Sequence, residues 1–271
     1  MSNKESPIES ILLEEFTDNG VFRLTLNDAK RRNALSEEML AAITLSLNHA
    51  SEDGKTRVII IAANGPTFCS GHDLKQMFAG RNADDDGLEY FTKVFSSCSA
   101  LMQLIVNHPK PIIAEVAGVA AAAGCQLVAC CDLAVGGESS QYITPGVNIG
   151  LFCSTPMVAL SRNISNKAAM EMLLTGEMVD ANKAERIGLI NRVVNDKNLT
   201  VSAMDLAEVI ASKSSMTLKT GKQAFYNQKD MSISDAYDYA SKVMVDNMLT
   251  LDAKEGINAF LEKRQPKWQD E

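Results

Sequence analysis

The apolar positions fall into short unbroken runs and longer helical stripes that alternate along the chain. Residues 11–16 and 21–26 flank the turn signal Asp18-Asn19-Gly20, which predicts an opening β-hairpin. Ser36, followed by Glu37 and Glu38, reads as the N-cap of an amphipathic helix reaching about residue 50. Residues 58–63 and 112–116 are β-branched runs of the kind that form buried strands. Helices are predicted over 74–78 and 88–106, separated by the acidic stretch 80–87, which reads as a solvated loop. Short strands are predicted at 133–135, 141–143 and 192–194, and residues 144–150 are too rich in Gly and Pro for regular structure. From residue 155 the pattern is mainly helical, with Asp180 as a cap; beyond 199 only helices are expected, among them 234–249 and 252–261. Strands that pass repeatedly through Gly-containing loops into helices predict an α/β fold.

One stretch stands apart: residues 114–132, AEVAGVAAAAGCQLVACCD, are almost all small or apolar. Gly118 and Gly124 allow close backbone approach, and a helix starting at Ala122 or Ala123 would leave its first N–H groups unpartnered. That pattern suits an anion or oxyanion site. A buried helix between two strands explains the same composition, and the stretch alone does not separate the two.

Composition narrows the class. The chain has 271 residues, 46% of them hydrophobic and 22% charged, enough for a full core. Its 34 acidic and 26 basic residues give a net charge of -8, which argues against a nucleic-acid partner. The six cysteines, Cys69, Cys98, Cys125, Cys130, Cys131 and Cys153, lack zinc-site spacing and read as reduced core thiols. Glu5, Glu9, Glu14 and Glu15 near the start are unlike a signal or transit peptide, so no targeting segment is expected. The apolar run 116–135 is interrupted by Gly118, Gly124, Gln126 and Asp132, so no membrane span is expected.

Four segments, in order, resemble the crotonase (enoyl-CoA hydratase/isomerase) family over nearly the whole chain. They are NDAKRRNALS, TFCSGHDLK, GCQLVACCDLAV and KEGINAFLEKRQPKW. The resemblance implies a ClpP-like crotonase spiral of ββα units over residues 1–198 and a C-terminal helical trimerisation region over 199–271. It also implies an acyl-CoA thioester ligand whose carbonyl oxygen is held by two backbone N–H groups. By motif position these are Ser70 and Ala123. Lys30, Arg31 and Arg32 are expected to meet CoA phosphates, and Lys263 with Phe260 the nucleotide end. Gly71, His72, Asp73, Leu74, Gly124, Asn148 and Cys153 are expected to line the site.

The chain departs from the family at its acid/base pair. Hydratases of this family use two glutamates; here Gln126 stands at the first position and Gly146 at the second. An amide orients water but exchanges no proton near neutral pH, and glycine offers no side chain. His72 titrates in the useful range, although a polar lining role is the favoured one. Cys153 has no basic partner in the sequence and reads as packed. Glu115, inside a buried strand, reads as structural; His49 and His108 read as a helix-surface and a loop histidine.

These features predict an acyl-CoA-binding member of the family, acting in acyl-CoA or fatty-acid metabolism through an oxyanion hole. The enzyme reading is a hydratase/isomerase-type lyase with altered acid/base groups; the alternative is a noncatalytic acyl-CoA-binding or regulatory homologue. No metal or redox cofactor is expected, and a homotrimer or hexamer is. The expected location is cytoplasmic, or the mitochondrial matrix if a transit peptide has been removed. A Rossmann dehydrogenase is disfavoured because no G-x-G-x-x-G follows a predicted strand.

Overall fold

The computed structural model describes residues 10–271; Glu5 and Glu9 lie outside the described residues. The strands are β1 (Leu12–Phe16), β2 (Val21–Leu26), β3 (Val58–Ala63), β4 (Ile112–Val116), β5 (Val119–Ala121), β6 (Leu133–Gly137), β7 (Gln141–Ile143), β8 (Val179–Asp180) and β9 (Arg192–Val194). The helices are α1 (Glu37–Glu52), α2 (Leu74–Gly80), α3 (Leu88–Asn107), α4 (Ala123–Cys130), α5 (Ser154–Asn163) and α6 (Asn166–Thr175). They continue as α7 (Ala181–Ile187), α8 (Leu199–Ala211), α9 (Ser215–Gln228), α10 (Ile233–Met248) and α11 (Leu251–Leu261).

The hairpin forms as the turn signal predicts, with Leu12 opposite Leu26 and Phe16 opposite Phe22. It begins a six-stranded sheet in the order β1-β2-β3-β4-β6-β9, parallel from β2 onward. A second sheet, β5-β7-β8, stands apart from the first. Strands buried on both faces explain the unbroken runs: Ile59, Ile60 and Ile61 are all fully buried. Alternate residues of the main sheet feed two cores. Ile59 and Ile61 belong to one that extends through α1, α3 and α4, and Val58, Ile60 and Ile113 to another under α8. Residues 199–211 therefore pack with the sheet through Leu199, Ala203 and Ala207, and only α9 to α11 lie beyond it.

Caps start the helices where the sequence places them. Ser36 accepts from Met39 N, and Asp180 accepts from Lys183 N. Residues 144–150 are more ordered than expected, because Pro145–Ile149 close a 3-10 turn with Pro145 in its first position.

Two charges, buried Glu115 and half-buried Asp132, are matched within the chain. Glu115 forms a two-pronged pair with Arg23 and accepts from Thr200 at 2.8 Å, which bears out its structural role. Asp132 takes Lys222 Nζ at 2.7 Å and the Ile112 amide at 2.7 Å on one oxygen, and the Tyr226 hydroxyl at 3.1 Å on the other. Lys222 spends its remaining donors on the carbonyls of Ile105 (3.1 Å) and Lys110 (3.2 Å), so α9 is fastened to the core. His108 lies in the loop just after α3, as expected, and is fully buried. Its Nε2–H donates to the Leu47 carbonyl at 2.9 Å, while Nδ1 accepts from Lys110 N at 3.1 Å.

Candidate active site at the Ala122 junction

The small-residue stretch is shaped by one close approach of backbone to backbone. The loop after β3 runs alongside β5, with Cys69 N donating to Val119 O at 3.1 Å and Ala121 N to Cys69 O at 2.8 Å. A Cβ on Gly118 would lie 2.1 Å from Pro66 O, and one on Gly124 would lie 2.2 Å from Cys69 O. Both glycines are therefore required by contact.

Three segments meet at Ala122. Its N–H donates to Ile143 O at 2.8 Å, its carbonyl accepts from Gln126 N at 3.0 Å, and a Cβ on Gly71 would lie 2.9 Å from its methyl. Ala122 holds φ 50° and ψ -116°, a conformation that costs a non-glycine residue on the order of 1–3 kcal/mol. The kink starts α4 abruptly and leaves the Ala123 N–H as a first-turn donor with no partner in the helix. A Cβ on Gly71 would also sit 3.2 Å from Ala123 N, so any side chain there would crowd the donor.

The second expected donor needs correction. Ser70 N donates to Arg32 O at 3.1 Å, so that amide is consumed within the chain. Two residues on, the His72 N–H has no acceptor among the described residues. Among the described residues, the free amides at this junction thus include those of His72 and Ala123. Arg32 presents its carbonyl to Ser70 from a left-handed backbone, φ 55°, a contact between segments far apart in sequence.

Among the described residues, the buried side-chain N and O atoms without a partner belong to three residues: both ring nitrogens of His72, Gln126 Oε1 and Thr144 Oγ1. All three adjoin the contacts of Ala122, since His72 follows Gly71 and Thr144 follows Ile143. Unpaired polar atoms inside a protein are costly, and their gathering here makes this junction the candidate site. Thr144 was not singled out from sequence; its only signal was its place just before Pro145-Gly146. The His72 ring lies edge-on to Phe95, 5.2 Å between centroids, and burial holds its pKa below the ordinary value. At neutral pH it is an uncharged imidazole.

No carboxylate stands at either glutamate position. Gln126 is buried, and Gly146 has no room for a side chain: a Cβ there would lie 2.9 Å from both Cys153 Sγ and Leu151 O. Cys153 is a packing residue, its thiol pushed up by burial. Burial also raises Cys69 and Cys125 to about 12, so no thiolate nucleophile adjoins the site.

The remaining expected residues divide. Asp73 caps α2 through Lys75 N at 2.9 Å and Gln76 N at 3.3 Å, and lies 3.7 Å from Arg31. Arg31 is held by Asp28 at 2.5 Å, whereas the side chains of Lys30 and Arg32 have no ion pair among the described residues. Leu74 is exposed at the start of α2, and Asn148 reaches Gly176 O at 3.4 Å. Phe260 is 82% exposed on α11, and Lys263 follows that helix, also exposed; neither is brought to the Ala122 junction by a contact of this chain.

The two sheets, the kinked helix start and the free amides in front of it define an α/β spiral of the crotonase type. The chain belongs to the enoyl-CoA hydratase/isomerase family, whose model matches residues 16–271. It is 49% identical over 249 residues to the mitochondrial enoyl-CoA hydratase domain-containing protein 3 of Rattus norvegicus, covering 92% of this chain and 81% of that one. Against the Homo sapiens protein of that name the identity is 46% over 252 residues, covering 93% and 82%. The crystal structure of the human protein superposes with a TM-score of 0.91 at 44% identity, covering 96% of this chain and 100% of that one. A Mycobacterium smegmatis enoyl-CoA hydratase gives 0.91 at 46% identity, covering 96% and 99%.

Proposed function

We propose that this protein binds an acyl-CoA thioester with its carbonyl oxygen on the N–H groups of His72 and Ala123. The observation that carries the proposal is the pair of unpartnered amides at a kinked helix start, framed by Gly71 and Gly124. Donors fixed before the ligand arrives stabilise an enolate-like oxygen strongly, each typically by about 2.7–4 kcal/mol. The neutral groups around them polarise the thioester without supplying the two carboxylates that hydration uses. Gln126 and Thr144 orient the acyl group or a water through their unpartnered oxygens. His72 is the titratable member of the trio and the group that would accept a proton from the α-carbon in any turnover.

Lys30 and Arg32, without ion pairs among the described residues, are the members of the basic tract suited to CoA phosphates. Lys263 and Phe260 join them if a neighbouring subunit presents α11. Exposed Met244, Met248, Leu249 and Phe260 on the last two helices and the turn between them support such an oligomer. No described helix is long and apolar enough to cross a membrane. The relatives named mitochondrial favour that compartment over the cytoplasmic expectation.

A panel of enoyl-, malonyl- and saturated acyl-CoA esters, incubated with purified protein and followed by mass spectrometry, tests the activity. Product formation abolished by Gln126→Ala supports a catalytic site with an amide in a direct role. Binding of the esters with no turnover of any leaves the noncatalytic reading standing, and absence of binding removes the proposal.

A further inference from the structure

A cavity of about 390 Å³ is walled by α3, α4, α5 and α9, and Gln126 borders it. Its apolar lining includes Met102, Val106, Val158 and Ala159. The Asn163 amide, at the far end of α5, donates to Ala129 O at 2.8 Å near the far end of α4, so both helices lead away from the Ala122 junction. From Thr155 to Arg162, both on the wall, α5 advances about 10 Å.

The rim carries two cations, Arg162 and Lys229. Lys229 Nζ is held on the Arg162 carbonyl at 2.5 Å, and Arg162 Nη1 donates to the Val158 carbonyl at 3.2 Å. Neither is paired with a carboxylate among the described residues. Asp230 on the same rim offsets one of the two charges and leaves the other unmatched. An apolar chain ending here would bring a methyl group against incompletely matched cations and strip water from them. A terminal carboxylate would replace that water with charge-assisted hydrogen bonds, for which the guanidinium fork is well shaped.

We propose that the cavity takes an acyl chain whose far end is a free carboxylate, received by Arg162 and Lys229. The preferred ligand is then a CoA monothioester of a medium-chain dicarboxylic acid. The assignment rests on the thioester being held at the Ala122 junction, and it adds the class of acyl group.

Calorimetric titration of the intact protein with sebacyl-CoA, decanoyl-CoA and free CoA tests it. The two esters have equal chain length and differ by the terminal carboxylate. Sebacyl-CoA is expected to bind about tenfold tighter than decanoyl-CoA at low salt, with the advantage shrinking as salt is added. The combined Arg162→Gln and Lys229→Gln variant is expected to erase that advantage by weakening sebacyl-CoA binding, with decanoyl-CoA bound no more weakly than by the parent. Equal binding of the two esters, both tighter than free CoA, would overturn the carboxylate assignment while sparing the acyl-CoA reading. Esters that bind no better than free CoA would overturn both.

Discussion

At Asp132 the chain partly buries a carboxylate, an ammonium and a phenol and gives each a partner; around Ala122 it holds an imidazole, an amide and a hydroxyl whose buried free atoms have none among the described residues. Both regions lie where helices pack on the sheet, and both are polar. They differ in what completes them. The Asp132 anchor is closed by the chain itself, through Lys222, Tyr226 and the Ile112 amide, and its yield is a fixed α9. The Ala122 junction is left open by the described residues, and the cost of leaving polar atoms unmatched is tolerated where a ligand can match them.

Substitutions should therefore act in opposite ways in the two regions. The largest effect is expected at Lys222→Met, which leaves Asp132 charged, half-enclosed and short of its cation. Loss of one partner from a buried pair typically costs about 3–5 kcal/mol, readable by urea denaturation. A variant as stable as the parent would mean that water already serves the anchor.

Next is Gly146→Glu, the change that would restore the missing family carboxylate. Its Cβ would press on Cys153 Sγ and on the Leu151 carbonyl, so destabilisation of about 1–3 kcal/mol is expected. Combining it with Gln126→Glu is accordingly expected to give no hydratase, and clear crotonyl-CoA hydration by a stable double variant would contradict this packing. At Gln126→Leu the sign reverses: removing an unpartnered oxygen should leave the ligand-free protein unchanged or more stable by up to about 1 kcal/mol. The same variant should bind acyl-CoA esters more weakly, a separation that a merely structural glutamine would not produce.

The smallest effect is on pH dependence. Burial holds the pKa of both His72 and His108 below the ordinary 6.5. As pH falls through 6.5 the unfolded chain takes up protons first, so stability is full above that value and declines toward the lower folded-state values. Denaturation midpoints at about pH 7.5 and about pH 5.5 should show the loss, and His108→Gln should reduce it. For His108 the structural reason is direct, because Nδ1 accepts from Lys110 N and cannot do so once protonated.

Much of this organisation was legible in the sequence because local rules set it. The Asp18-Asn19-Gly20 turn, the Ser36 and Asp180 caps, the β-branched runs of β3 and β4 and the start of α4 all follow from short stretches. What escaped was set by distant contacts. Strand β5 hides in a small-residue run with no alternation, and it exists because β7 pairs with it on one edge while Cys69 bridges to Ala120 on the other. Motif position pointed to Ser70, whose amide is taken by Arg32, so the free donor moves to His72. His108 is the loop histidine expected, but its burial and its bond to the Leu47 carbonyl, 61 residues earlier, were not legible. Gly146 was read as an empty position; the structure fills the space with Cys153 and Leu151.

The measurement closest to the central claim is carbon-13 NMR of an acyl-CoA labelled at its thioester carbonyl. On binding, two backbone donors should polarise that carbonyl and move its resonance downfield, and the shift should persist in Gln126→Leu at saturating ligand because that side chain is not a donor to the oxygen. Saturable binding with the carbonyl resonance left at its free position would contradict an oxyanion hole formed by His72 and Ala123.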